Sequence, residues 1–248
     1  MEEKENSGLH APNLLLRLYR ARTRSYMDCH PPTPLAFAEV IVEWYRLHGD
    51  KDLPWRTTSN PWAVLVAALL LRKTTVRQVV RVYGEFLRRW PSPRELAGAA
   101  VEEVEEVLRP LGIEKVRARL FKRLAEELLS KYGGGVPLSL DKLRGLPGVG
   151  DYAAREVLVA VAGAAEPLFD RNAARVLERV FGVRSRRQRP HTDPELWEFA
   201  KRLVPPESPR EYNFGLLDFA RKICTARNPK CTSCPLRSRC MYFCAWQR

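Results

Sequence analysis

Apolar residues recur every three to four positions over most of the chain after residue 34, which is the spacing of one face of an α-helix. In the segment 36–47, that face carries Phe37, Val40, Ile41, Trp44 and Tyr45. The same period runs through 76–87, 101–112 and 114–132, and glycine or proline ends each of the last two segments. No segment alternates apolar and polar positions as a half-buried strand would. The pattern therefore predicts an all-α chain.

Two regions depart from this amphipathic pattern. Residues 63–71 are apolar on every face, which is typical of a buried helix and too short to cross a bilayer. The sequence PPTP at 31–34 separates a basic extension, residues 1–33, from the helical part, and residues 14–25 of that extension are compatible with a short helix. The polar first residues do not resemble a signal peptide, so we expect a cytoplasmic location, with the chromosome.

The charge of the chain points to an acidic partner. Lys and Arg total 42 against 29 Asp and Glu, which gives a formal net charge of +13. Basic residues concentrate at 72–89, 115–123 and 184–189. Such an excess is typical of nucleic-acid binding, although each run alone is as well explained by a solvated face, and the excess by a merely basic protein. A hydrophobic fraction of 45% excludes wholesale disorder.

Four cysteines near the end follow the spacing C-x6-C-x2-C-x5-C: Cys224, Cys231, Cys234 and Cys240. Thiolates this close together suit an iron–sulfur cluster or zinc. Structural zinc sites usually pair their ligands as two short hooks, and only one C-x2-C is present, so the spacing favours a cluster. Zinc and disulfides remain as alternatives. Arginine and lysine between the cysteines indicate nucleic acid rather than electron transfer.

The segment LPGVG at 146–150 lies between a short and a long predicted helix. Its glycines can take positive φ and let the backbone approach a ligand. The N–H groups of Val149, Gly150 and Asp151 would lie at a helix N-terminus, which favours a phosphate. Such a hairpin holds the DNA backbone without reading sequence, whereas the alternative is a plain turn between helices.

Asp170 precedes another helical segment, and by itself it is equally well explained as a helix N-cap. Together, however, LPGVG-x-Y and an aspartate 18 residues after Tyr152 resemble the helix–hairpin–helix DNA glycosylase superfamily. The cysteine spacing resembles its iron–sulfur branch, which includes endonuclease III and the adenine mismatch glycosylases. The similarity runs from about residue 37 to 242, and the segments 43–65 and 210–224 resemble the adenine and thymine mismatch glycosylases.

The resemblance implies a two-domain architecture. A six-helix barrel with the hairpin would occupy 55–165, and a cluster domain would combine 34–54 with 166–248. The four cysteines would hold a [4Fe–4S] cluster, and Tyr152 and Asp170 would lie on opposite sides of a groove between the domains. A monomer would bind double-stranded DNA that carries a mismatched or damaged base, using Leu146, Gly148, Val149 and Gly150. Arg72 or Lys73 would fill the gap left by the extruded base.

The resemblance also assigns chemistry. The aspartate that matches Asp170 faces the deoxyribose, where a carboxylate stabilises an oxocarbenium-like sugar and helps water attack C1′. Strand-cleaving relatives carry a lysine at the position of Tyr152, and its amine forms a Schiff base with the sugar. A phenol cannot form an imine. The chain therefore resembles a monofunctional glycosylase that leaves an abasic site.

Two positions, 68 and 152, indicate which base the enzyme would remove. Adenine-specific relatives have serine at position 152 and a catalytic glutamate at position 68, because adenine leaves best when protonated. Ala68 argues against adenine, unless Glu39 or Glu43 supplies the acid. Tyr152 and the segment 70–75 resemble the archaeal thymine mismatch glycosylases, which remove T or U opposite G, although those usually keep an acidic residue where Ala68 stands.

Three alternatives remain open from the sequence. The first is an adenine or damaged-pyrimidine glycosylase. The second is a non-catalytic protein that binds mismatched or abasic DNA, which would not need the carboxylate of Asp170. The third is an iron–sulfur redox protein, which the basic cluster loop disfavours.

Overall fold

The computed structural model describes residues 30–246, and its regular structure is entirely helical within that range, as the sequence predicts. The predicted helix at 14–25 lies outside the described residues. The α-helices are α1 (Pro34–His48), α2 (Pro61–Leu70), α3 (Val76–Arg89), α4 (Pro93–Gly98), α5 (Val101–Leu108), α6 (Glu114–Tyr132), α7 (Leu140–Arg144), α8 (Asp151–Ala162), α9 (Arg171–Phe181), α10 (Pro194–Arg202), α11 (Pro209–Lys222) and α12 (Met241–Trp246). Over the same residues, each helix is too short or too polar to span a bilayer.

The helix ends follow from local residue chemistry. Thr75 and Gln78 form a capping box that begins α3, since each side chain accepts from the other's backbone N–H. Gly133 takes the left-handed conformation that ends α6. As predicted, α2 is buried on every side, from Trp62 to Leu70.

The buried apolar side chains form two clusters. One is built mainly from α2 to α8, and the other from α1 and α9 to α11, with Cys224 and Cys240. We propose that these cores correspond to the predicted domains, 55–165 and 34–54 with 166–248. Tyr45 and Phe214 belong by sequence to the second domain but pack into the first core, so they join the two.

A buried ion pair also joins the cores. Arg56, which precedes α2, places Nη1 2.6 Å and Nη2 3.1 Å from the carboxylate oxygens of Asp218 on α11. The Arg56 guanidinium lies 4.7 Å from the centre of the Phe214 ring, and Asp218 accepts the backbone N–H of Asp50 at 2.9 Å. The pair fixes the relative position of the elements that enclose the candidate site.

Candidate active site and DNA-binding hairpin

The hairpin between α7 and α8 has the tight turn that the sequence predicts. Gly148 has φ of +73°, and a Cβ built there would lie 2.6 Å from Leu120 Cδ1, so the turn requires glycine. Leu146 and Val149 are buried in the first core. Their side chains therefore anchor the turn, and only their backbone can meet DNA.

The hairpin presents its backbone N–H groups one residue later than the sequence suggests. The Val149 N–H donates to the Leu146 carbonyl at 3.1 Å, so the expectation that this group is available to a phosphate is wrong. Within residues 30–246, no acceptor takes the N–H groups of Gly150, Asp151 and Tyr152, which form the start of α8. An anion site at this helix N-terminus would therefore be centred on these three groups.

The Arg72 side chain is hydrogen-bonded to the hairpin. Its Nη1 donates to the Gly148 carbonyl at 2.8 Å, so in this structure the side chain is engaged and does not project freely toward an extruded base. Lys73 is exposed at the turn between α2 and α3, with φ of +57°, and its ammonium makes no hydrogen bond within the described part of the chain. Of the two side chains predicted to fill the gap left by the extruded base, Lys73 is therefore the one without a hydrogen bond in the described residues.

The basic run 115–123 is partly structural. Arg117 is buried and donates to the carbonyls of Leu69 at 3.3 Å and Arg72 at 2.7 Å, which holds the turn after α2. Lys122 donates to the carbonyls of Ala97 and Ala99, each at 2.6 Å. These two charges therefore satisfy helix ends. The other basic residues of the run, Lys115, Arg119 and Arg123, are exposed, as are the arginines of α3 and of 184–189.

A cavity of about 690 Å³ lies between the two cores, beside the hairpin. It brings together the predicted residues Arg72, Gly150, Tyr152 and Asp170, and also Ala68. Its volume is in the range of pockets that enclose small ligands. The further polar residues that line it include Arg56, Glu156, Asn172, Arg175, Asp218 and Arg221.

Asp170 is both a helix cap and a cavity residue. Its Oδ1 accepts the backbone N–H groups of Asn172 and Ala173, each at 2.8 Å, and its Oδ2 accepts the Asn172 side-chain amide at 2.8 Å. These bonds fix the orientation of the carboxylate at the edge of the cavity. The two interpretations of Asp170 are therefore compatible, because capping is what positions the charge.

Tyr152 remains a neutral phenol in this setting. Burial raises the pKa of Tyr152 well above its usual value, and the negative charges of Glu156 and Asp170 act in the same direction. The hydroxyl group can therefore donate a hydrogen bond into the cavity at neutral pH. It provides no amine for a Schiff base.

Glu156 is a cavity residue that sequence reasoning missed, as are Arg56 and Asp218. It lies one turn after Tyr152 on α8, and only 6% of it is exposed. Burial raises the pKa of Glu156 to about 7, against the opposing field of Arg56. The signal was an acidic residue directly before the apolar run 157–162 of α8. Glu39 and Glu43 line a separate groove beside Ser233 and Pro235, so they do not supply the acid.

The C-terminal loop presents the donor set of an iron–sulfur site. The four predicted cysteines are free thiols, with Cys224 and Cys240 buried. Burial, together with negative charge at the other three cysteines, raises the pKa of the Cys234 thiol to about 12, so the thiolates need a cationic centre to coexist. Arg179 Nη1 also donates to Cys224 Sγ at 3.5 Å. These residues fit a cluster, which takes one thiolate at each iron.

Over residues 30–246, no three or more His, Cys, Asp or Glu side chains are grouped so as to hold a single metal ion.

Two family comparisons agree with this geometry. Residues 66–202 match the HhH-GPD superfamily of base excision DNA repair proteins. Residues 224–240 match the iron–sulfur binding domain of endonuclease III, and this segment begins and ends at the outer two of the four cysteines.

Individual relatives cover most of the chain. It is 60% identical to the thymine/uracil-DNA glycosylase of Pyrobaculum aerophilum over 84% of its own length and 91% of that protein. A solved thermostable thymine-DNA glycosylase superposes with a TM-score of 0.80 at 32% identity, covering 84% of this chain and 94% of that one. A non-covalent endonuclease III–DNA complex gives 0.72 at 26% identity, covering 88% and 99%. The chain therefore belongs to the HhH-GPD superfamily of base excision DNA repair proteins and is a DNA glycosylase of its iron–sulfur branch.

Proposed function

We propose that this DNA glycosylase hydrolyses the N-glycosidic bond of thymine or uracil opposite guanine, acting as a monomer, and leaves the abasic strand unbroken. The observation that carries the proposal is the shared cavity of Tyr152 and Asp170 beside the hairpin. The 60% identity to a protein named thymine/uracil-DNA glycosylase supports the choice of base.

DNA binding would begin at the backbone. The free N–H groups at the start of α8 would hold one phosphate, and the arginines of α3 would contact others. The mispaired nucleotide would then turn out of the duplex into the cavity, at a cost of a few kcal/mol that is lowest at a mismatch. Lys73, exposed at the turn after α2, would enter the vacated space.

Bond cleavage would depend on Asp170. As the bond from C1′ to the base breaks, its electron pair stays with the base and positive charge develops on the sugar. The carboxylate, held by Asn172 and Ala173, would stabilise that charge and accept a proton from the attacking water. The Tyr152 hydroxyl would donate a hydrogen bond in the same cavity. Because neither group is an amine, no imine would form and the strand would remain intact.

The cluster would have a structural role. We propose that Cys224, Cys231, Cys234 and Cys240 bind it, which closes the loop after α11. Arg179 connects this loop to α9 through the Thr225 and Ala226 carbonyls, at 2.7 and 3.1 Å. When bound, the cluster supplies a cross-link between the four cysteines of the loop.

A second candidate is adenine excision, and Glu156 is the observation that favours it. In the sequence, Ala68 argues against adenine because position 68 lacks an acid, but Glu156 brings a carboxyl group to the same cavity. A carboxyl group with a pKa of about 7 could protonate a purine nitrogen. Identity to the thymine/uracil enzyme still favours a pyrimidine. A non-catalytic DNA-binding protein is disfavoured by the oriented carboxylate of Asp170.

The experiment is a single-turnover panel of duplexes that carry G·T, G·U, adenine opposite oxidised guanine, or a matched pair, each treated with alkali before analysis. We expect release from G·T and G·U to be fastest. Fastest release of adenine would overturn the assignment of the base. Tight binding to mismatched DNA without release of any base would indicate a binding protein.

A further inference from the structure

Glu156 faces the cavity from the middle of α8. It lies four residues after Tyr152, so the two side chains share one face of the helix. The helix α8 packs along α2, which brings Ala68 to the same cavity. The pocket therefore has an acid on α8, although the position on α2 where related enzymes carry one is an alanine.

The carboxyl group of Glu156 has no protein partner in the described part of the chain. It makes no hydrogen bond and no ion pair there, although only 6% of the residue is exposed and burial disfavours the charged form of a carboxyl group. Arg56 exerts the opposing field; both of its Nη atoms are bonded to Asp218, and its Nε has no hydrogen-bond partner in the described residues. The hydrogen bonds and ion pairs of those residues therefore give no structural reason for an acid at position 156.

We propose that Glu156 is a catalytic residue of the base pocket, whose carboxylic acid donates a hydrogen bond and then its proton to the departing base. The inference rests on the proposed function, because it assigns a new residue to the same reaction. The C1′–N1 bond breaks and its electron pair passes to the pyrimidine. The Glu156 proton neutralises that anion at a carbonyl oxygen or ring nitrogen. Water bonds to C1′ and gives its proton to Asp170, and exchange with solvent restores both carboxyl groups.

The surroundings of Glu156 allow both its protonated and its ionised form near neutral pH. Burial raises the pKa of Glu156 to about 7, so both forms are populated at neutral pH. Besides Tyr152, the charged groups that line the cavity are Arg56, Arg72, Asp170, Arg175, Asp218 and Arg221. The adjoining face of α2 contributes only apolar side chains.

The test is the pH dependence of single-turnover base release from a G·U duplex, at enzyme concentrations below saturation. The wild-type rate should fall about tenfold per pH unit above about 7, since only the protonated acid acts. Glu156→Gln keeps a hydrogen-bond donor but cannot donate a proton or titrate in this range, so its rate should not change from pH 6 to 8.5. At pH 8.5 its rate should approach that of the wild type. Glu156→Ala should be about 100-fold slower at pH 6.

The control is Glu106→Gln on α5, where the glutamate is exposed and makes no bond in the described residues, so its profile should match the wild type. If Glu156 only balances Arg56, Glu156→Gln would lower the melting temperature and leave the pH profile unchanged, which would overturn the proposal. A wild-type profile without the fall above pH 7 would overturn it too.

Failure of the proposed function looks different. If another base is released faster than uracil, the same pH series on that base decides the role of Glu156. If no base is released from any duplex, both assignments are wrong.

Discussion

Arg175 Nε donates to the carbonyl oxygen of Cys224 at 3.0 Å, which ties α9 to the first cysteine of the cluster loop. The same guanidinium donates to Asn172 Oδ1 at 2.9 Å, and the Asn172 amide donates to Asp170 Oδ2 at 2.8 Å. Two side chains therefore connect the carboxylate proposed for catalysis to the cluster loop. The order of the loop and the orientation of Asp170 are predicted to depend on each other.

Replacing Arg175 with methionine should weaken both ends of this connection. We expect base release to slow by about tenfold, because the Asn172 side chain that bonds Asp170 Oδ2 loses its own anchor. The visible absorbance of the cluster should also decay faster in the presence of a chelator. Arg94→Met, an exposed change on α4, should alter neither measurement. Slower release with unchanged cluster lifetime would show that the two ends are independent.

Asp170→Asn and Asp170→Ser separate capping from catalysis. Asparagine and serine are both good N-caps, so the melting temperature should change little. Each variant lacks the charge that faces the sugar, and base release should fall by at least about 100-fold. Binding to a G·U duplex, followed by fluorescence anisotropy, should stay within about threefold of the wild type. If either variant releases the base at the normal rate, Asp170 acts only as a helix cap and not in catalysis.

Gly148 and Gly150 should respond differently to alanine. At Gly148 the new Cβ meets Leu120 and the backbone has positive φ, so the free energy of unfolding should fall by about 1–2 kcal/mol. DNA affinity should fall for matched and mismatched duplexes alike, because the turn positions backbone N–H groups. Gly150, the N-cap of α8, has φ of −82° and open space where a Cβ would lie, so Gly150→Ala should lower the free energy of unfolding less, by about 0.5 kcal/mol. Equal destabilisation by both changes would refute this account of the turn.

Glu156 should make the fold less stable as the pH rises. An unfolded glutamate loses its proton near 4.5, whereas the folded one keeps it until about 7. Between these values the folded state holds the extra proton, so the free energy of unfolding should fall with rising pH, by up to about 3 kcal/mol in total. Chemical denaturation at pH 5 and pH 8 measures the difference. Glu156→Gln should remove that part of the pH dependence; an identical slope in wild type and variant would contradict it.

Features set by local spacing could be predicted from the sequence. The helices, the hairpin at 146–150 and the cysteine loop depend on periodicity, glycine and ligand spacing over short stretches. Asp170 was identified because its distance from Tyr152 matched a known pattern.

Features that depend on contacts between distant parts of the chain could not be predicted from the sequence. Arg56 and Asp218 are separated by 162 residues, and nothing local to either predicts the pair. The engagement of Arg72 by Gly148 depends on the packing of α2 against the hairpin helix. Glu156 was missed because sequence shows an acid in an apolar helix but not whether the acid faces solvent, a partner or a cavity.

The most direct test of the account measures uracil release and strand integrity in one reaction of wild-type protein with a G·U duplex, with borohydride present in a parallel sample. Because Tyr152 provides no amine, the account predicts that released uracil equals the number of alkali-labile sites, with no break before alkali and no covalent adduct. Tyr152→Lys serves as the positive control for trapping. Strand breaks before alkali, or a covalent adduct with the wild-type protein, would contradict the account. Lys73 would then be the first residue to test as the amine that forms the adduct.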